Sequence, residues 1–294
     1  MPQSIIDTHI HLFDPTRAEG VPWPPKDNAV LYQPATPDRY RGLTHGLGIV
    51  GAIAVECSPW ADDNEWLLNT AARDSIIVGV VGNLEPAAPD FGKRLERLRD
   101  KPLFRGIRYG NLWDRDLGAE LAKPKFISGL SLLSDAGLTL DTANPDPVLI
   151  AAVLRLTDRV PSLRIVIDHL AQLDPPAESR TRDALRQNLR ELAQRPQVYV
   201  KISEVLRRVD GRVHTDLDFY RARLDEIWET FGEDRLMYGS DWPNSDQWGT
   251  YSEVFLIAGE YLAGKGVSAQ EKFFRKNSVA AYRWRERSGA GAEA

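Results

Sequence analysis

The sequence predicts an α/β fold of the (β/α)8, or TIM-barrel, class, and two observations carry that prediction. Eight short runs rich in Val and Ile recur along the chain, several of them apolar on both faces, as strands of a buried parallel sheet are. Segments with helical spacing of apolar residues separate these runs, and the runs start at intervals of roughly 26–44 residues, the rhythm of repeated βα units. The alternative, a doubly wound open sheet, calls for a Gly-rich GxGxxG turn after the first strand. That position holds His-Ile-His followed by a long Pro-rich segment, so the barrel is preferred.

In chain order the strands are IIDTHI from Ile5, IVGAIAVE from Ile49, IIVGVVG from Ile76, FRGIR from Phe104, LTLD from Leu138, RIVID from Arg164, VYVKIS from Val198 and RLMYGSD from Arg235. The helix expected over Asp62–Asp74 opens on an acidic cap, and Pro89–Asp100 follows in the same style. The helix from Ile127 ends at Gly137, the residue a left-handed C-cap favours. Further helices are expected over Asp146–Pro161, Thr181–Pro196 and Asp218–Gly232, and one from Glu271 to Trp284 closes a single domain, residues 1–284. Residues 285–294 contain no core-forming run and are expected to be disordered. Two connections are too long for a plain βα loop: Leu12 to Leu47, rich in Pro, and Glu204 to Asp218. Both follow strands, so both belong to the C-terminal rim, where such loops serve as lids or substrate walls.

Composition narrows the function. Of 294 residues, 43% are hydrophobic and 27% charged, enough for a substantial core under an ordinary soluble surface. The formal net charge is -5 with Lys and Arg dispersed, which argues against a nucleic-acid partner. No apolar run is long enough to span a bilayer, and the N-terminus lacks the basic and apolar regions of a signal peptide. The single cysteine, Cys57, forms no intrachain disulfide and belongs to no CxxC zinc site; it reads as a small buried hydrophobe. The expected setting is therefore reducing and cytoplasmic, with a small molecule as partner. Oligomeric state is not legible.

Ionisable residues gather where the apolar runs stop. Strict alternation puts Asp7, His9 and His11 on one side of the first strand. Two neutral imidazoles there can hold a metal or polarise a carbonyl; alternatively, one packs against the first loop and the other is a solvated strand end. Later strands end in Glu56, Arg108, Asp141, Asp168-His169, Lys201 and Asp241. Asp241 stands out, because the YGSDWP turn presents a carboxylate able to ligate a cation or take a proton from water, although Asp is also a common turn residue. His169 can orient that water or bond a carbonyl oxygen. Arg108 suits a substrate carboxylate or hydroxyls, or else a structural ion pair with Glu56 or Asp141. Lys201, if it faces the barrel, must be paired. Trp23, Trp60, Trp113, Trp242 and Trp248 fall on rim loops, where aromatic platforms suit sugar faces. His45 and His214 read as loop residues.

Taken together, IIDTHIHLFDP, FRGIRY, VIDHLAQ, VYVKISE and RLMYGSDWPN resemble the amidohydrolase superfamily, most closely the amidohydrolase-2 branch of sugar lactonases and pyrone-dicarboxylate lactonase. The resemblance covers nearly the whole chain. It implies an amidohydrolase-like barrel that hydrolyses a cyclic ester, with His9 and His11 as the first-strand HxH, His169 as the sixth-strand His and Asp241 as the eighth-strand Asp. It assigns metal-ligand roles to His9, His11, Glu56 and Asp241, and catalytic roles to Asp241 and His169. Asp241 would activate water while the three imidazoles, or a cation they hold, stabilise the oxyanion. Binuclear members carry a carboxylated Lys on strand four and a His on strand five; here those strands read FRGIR and LTLD. One divalent ion, zinc first, or metal-independent catalysis is therefore expected.

A sugar-acid lactone wants many hydroxyl partners, for which Asn83, Arg108, Asn144, Trp242 and Lys201 are the candidates. A pyrone dicarboxylate wants several Arg residues, of which only Arg108 is placed. The competing readings are a metal-dependent decarboxylase of an unsaturated or aromatic acid and a catalytically silent binding barrel.

Overall fold

The computed structural model describes residues 4–287. Eight parallel strands form one sheet: β1 (Ile5–Ile10), β2 (Ile49–Val55), β3 (Ile77–Gly82), β4 (Phe104–Arg108), β5 (Thr139–Asp141), β6 (Arg164–Ile167), β7 (Val198–Ile202) and β10 (Leu236–Tyr238). Each hydrogen-bonds to its neighbour in chain order, as consecutive right-handed βα units require. The long connection after β7 carries a small antiparallel ribbon, β8 (Arg208–Val209) with β9 (Arg212–Val213). Asp210 and Gly211 at its tip both have positive φ, the backbone that an Asp-Gly hairpin turn uses.

The sheet closes at its upper edge. Ile10 bridges Trp242, the Asp241 N–H donates to His9 O at 2.8 Å, and the His11 N–H donates to Trp242 O at 2.7 Å. Below these, the Thr8 hydroxyl donates to Tyr238 O at 2.6 Å. The two ends of the chain's strand series are thus stitched together at the C-terminal rim. Gly239 makes that approach possible: a β-carbon there would lie 2.8 Å from His9 Cβ and 3.1 Å from Ser203 Cβ.

Helices Asp63–Arg73, Phe91–Arg99, Pro124–Asp135, Pro147–Arg159, Ser179–Ala193 and Leu217–Phe231 occupy the expected segments to within a few residues at each end. Their apolar stripes cover the outer strand faces in one large core. Besides the short turn of helix Leu117–Glu120, two longer helices among the described residues fall outside the expected set. Pro37–Thr44 lies inside the long first loop, and Tyr251–Ala263 follows β10. The second begins with a reciprocal cap between Thr250 and Glu253, a T-x-x-E signature present in the sequence. The closing helix is broken into Val267–Glu271, a π-helical turn Lys272–Lys276 and Asn277–Tyr282.

Tyr282 and Trp284 join Ile6, Ile53, Val81, Val166 and Met237 in a second, smaller cluster. The chain remains anchored past the boundary expected at residue 284, since the Arg287 guanidinium donates to the carbonyls of Ala71 and Ile77, both at 2.8 Å. Residues 288–294, the remainder of the expected tail, lie outside the described residues. Among the described residues no helix is long and apolar enough to cross a membrane.

Candidate active site

Three imidazoles surround one oxygen. Asp241 Oδ1 lies 3.2 Å from His11 Nε2, 3.5 Å from His9 Nε2 and 3.8 Å from His169 Nε2. All four side chains are nearly sealed from solvent. The other Asp241 oxygen accepts from Asn244 Nδ2 at 2.7 Å. Asp241 and His169 sit just past their strands with φ of 62° and 55°, left-handed values that the surrounding structure must hold in place. Burial works against the Asp241 charge, but the surrounding imidazoles, His169 foremost, outweigh it and hold the carboxyl below the usual range. Asp241 is therefore an ionised carboxylate at the focus of the rim.

Strict alternation fails in β1. The Asp7 carboxylate accepts from Tyr40 at 3.0 Å and from Tyr251 at 2.9 Å, hydroxyls on two helices that cover the barrel. His9 instead meets Lys201 and Asp241. The register of β1 on β2 is irregular between Asp7 and Ile10, and this carries His9 to the side opposite Asp7.

Several sequence expectations are corrected by the side-chain packing. Glu56 stands apart from the imidazoles: its carboxylate accepts from Arg108 Nε at 2.8 Å, the Ser58 N–H at 2.9 Å and Trp113 Nε1 at 3.2 Å. With three donors already on it, Glu56 belongs to none of the potential ligand groups found among the described residues. Arg108 takes the structural alternative, with Nη2 also donating to Glu56 O at 2.8 Å. Lys201 is fully buried and its ammonium is engaged by Asp141 at 2.8 Å and Asp168 at 2.9 Å. Trp242 is likewise fully buried, packed against Tyr40, and has no face to offer a sugar. Asn144 is exposed and binds Asn111 O across two rim loops, away from the centre. Asn83 is buried, its amide committed to Ser58 O and Arg115. It lines a slot beside Glu56 together with Trp23, Trp60 and Trp66, and Trp23 meets the His11 ring edge-on. His45 is exposed, and His214 stacks on Phe219 outside the cluster. Cys57 is part-buried against the core as expected, with burial pushing its thiol up.

Sequence reasoning missed Glu204. It follows β7 with φ of 51°, accepts from Gln172 at 2.7 Å and places Oε2 3.7 Å from His169 Nδ1. It also groups with His169 and Asp241 in an arrangement of metal-ligating type. The E of VYVKISE was visible, but nothing local marks a loop residue as turning inward. Burial first, then the Asp241 charge, pushes its carboxyl up to about 9. Because the folded state favours the protonated form, that contribution to stability is complete below the ordinary Glu pKa and is lost as pH rises towards 9. Glu204→Gln is accordingly expected to raise Tm by about 2–4 °C at pH 8, with little change near pH 4. Thermal unfolding at both values checks this, and an equal shift at both would contradict it.

The residues fit a single divalent cation. His11 Nδ1 lies 3.0 Å from Val55 O, an acceptor, so Nδ1 carries the proton and Nε2 presents a lone pair. That lone pair faces the Asp241 carboxylate at 3.2 Å. Two acceptors at this distance require a proton or a cation between them. His9 Nε2 is buried and unpartnered at the same spot, and His9, His11 and Asp241 form one potential ligand set.

A parallel barrel with an HxH pair, a sixth-strand His and an eighth-strand Asp converging at its C-terminal rim defines a hydrolase of the metal- or imidazole-assisted type. Residues 6–284 match the family described as Amidohydrolase, and the chain belongs to that family. It is 30% identical to an L-fucono-1,5-lactonase of Burkholderia ambifaria, with 97% of each chain covered. It is also 30% identical to an L-fucono-1,5-lactonase of Burkholderia multivorans, over 91% of each. Among solved structures, an amidohydrolase from Burkholderia multivorans with bound zinc superposes with a TM-score of 0.84 at 26% identity, covering 96% of this chain and 99% of that one.

Proposed function

We propose that this protein is an enzyme that opens a sugar-acid lactone by adding water to the ring ester. The observation that carries this reading is the convergence of three imidazoles on one oxygen of Asp241. The two lactonase relatives, which cover nearly the whole chain, support the substrate class. Asp241 takes a proton from water, and the water oxygen attacks the lactone carbonyl carbon. Negative charge moves to the carbonyl oxygen, which the imidazoles of His9 and His169 would stabilise. The ring C–O bond then breaks, and Asp241 returns its proton to the departing oxygen. The product is an open hydroxy acid.

A divalent cation, zinc in this proposal, would be held by His11 Nε2 and Asp241 and would supply Lewis acidity at the carbonyl. Glu204, part-buried beside Asp241 and His169, is the additional polar group at the mouth. The Trp23–Trp60 slot offers apolar surface next to the centre. A small-molecule substrate and the single Cys57 suit a reducing, cytoplasmic setting.

The test is a panel of aldonolactones, including 1,5-lactones of six-carbon sugar acids, followed with a pH indicator before and after chelation. Acid release without carbon dioxide is the expected result. Absence of turnover on every lactone, or carbon dioxide release from an unsaturated acid, overturns the proposal. Full activity after exhaustive chelation would remove the cation while leaving the lactonase reading in place.

A further inference from the structure

The two histidines of the HxH pair differ in the group that holds their inner nitrogen, and that difference has a chemical consequence. His11 Nδ1 is held by a carbonyl, an acceptor, whereas His9 Nδ1 is held by the Lys201 ammonium, a donor, at 3.2 Å. We infer that Lys201 fixes His9 as the Nε2–H tautomer, making it a hydrogen-bond donor to the reacting oxygen rather than a metal ligand. This rests on the proposed lactonase reading for the identity of that oxygen, but not for the tautomer itself.

The argument is one of proton placement. An ammonium has three N–H groups and no lone pair. Lys201 hydrogen-bonds to Asp141 Oδ2 at 2.8 Å and to His9 Nδ1, and it contacts Asp168 Oδ1 at 2.9 Å off the direction of a good hydrogen bond. His9 Nδ1 must therefore accept. The rival arrangement, with Nδ1–H donating to Asp168 Oδ2, needs an approach now at 3.6 Å and would set that N–H against the Lys201 ammonium 3.2 Å away, donor against donor. An imidazole whose Nδ1 accepts a hydrogen bond is neutral and has a single proton to place. That proton goes to Nε2, which is buried, has no hydrogen-bond partner and lies 3.5 Å from Asp241 Oδ1. A buried donor without a partner, aimed into the centre, is preorganised for an oxygen that becomes negative.

Lys201 is thus a positioning residue. Tyr282 steadies the same network by donating to Asp141 Oδ2 at 2.5 Å. Binding of a cation through His9 would require its proton to move to Nδ1 and the Lys201 hydrogen bond to break, whereas His11 pays no such cost.

The decisive measurement is long-range 1H–15N correlation on chelator-treated, 15N-histidine-labelled wild-type protein, with His9→Gln and His11→Gln used for assignment. The expected pattern is Nε2–H for His9 and Nδ1–H for His11; Nδ1–H at His9 overturns the inference. In Lys201→Met, His9 is expected to switch to Nδ1–H, zinc binding by calorimetry to tighten at least about tenfold, and kcat to fall about 10²-fold with KM nearly unchanged. A folded Lys201→Met protein that keeps Nε2–H at His9 also overturns it. Should that variant fail to fold, the wild-type spectrum decides alone. If no lactone is turned over but the spectrum is as stated, the lactonase reading fails and the tautomer assignment stands.

Discussion

Asp241→Asn should lower kcat by about 10³–10⁴-fold while the protein remains folded. Among the described residues this carboxylate is the one on which all three imidazoles converge, and loss of a general base costs rate of this order. Asn keeps the shape and accepts left-handed φ more readily than most residues, so the 62° backbone at this position is preserved. It can still accept from Asn244, but it cannot take a proton from water. The check is steady-state kinetics on the best lactone, with circular dichroism and Tm alongside. Activity within tenfold of wild type in a folded variant would remove Asp241 as the base.

Asp7→Ala should give the largest loss of stability, about 3–5 kcal/mol, equivalent to a fall in Tm of about 10 °C. Asp7 is fully buried and binds four donors: the Tyr40 and Tyr251 hydroxyls, the Ser240 N–H at 2.9 Å and the His9 N–H at 3.1 Å. Burial nevertheless pushes its carboxyl up. Removing it leaves buried donors from two helices and both sides of the barrel seam without partners. Because Ser240 and His9 flank the residues that carry the chemistry, activity should fall even below the melting transition. Calorimetry with activity measured well below Tm tests both effects, and a Tm within 2–3 °C of wild type would show that water replaces the carboxylate.

Some contacts are decided across the fold rather than along the chain. Glu56 and Arg108 are both readable as strand-end charges, yet only the approach of β2 and β4 at the rim shows that they bind each other. Lys201 was readable as needing partners, and the structure supplies Asp141, Asp168 and His9 from three other strands. Trp242 looked like a platform because it follows the eighth strand; the chain there turns under Tyr40 and buries it completely. Helix Tyr251–Ala263 writes only a weak amphipathic pattern because it is apolar on most faces, although its cap is present in the sequence.

The sequence by itself determined the eight strands, their order, the rim they end on, and the candidates His9, His11, His169 and Asp241. It could do so because burial on both faces writes continuous Val and Ile runs, and a polar residue at the end of such a run is a local event. Tertiary structure alone decided that Asp7 and His9 part company, that Glu204 turns inward, that Glu56 is neutralised by Arg108, and which nitrogen of His11 is free. These depend on a register irregularity in one strand and on distances between side chains far apart along the chain. Hydrogen bonds and ion pairs act over a few ångströms of space, and no local pattern of residues encodes which distant group will arrive there.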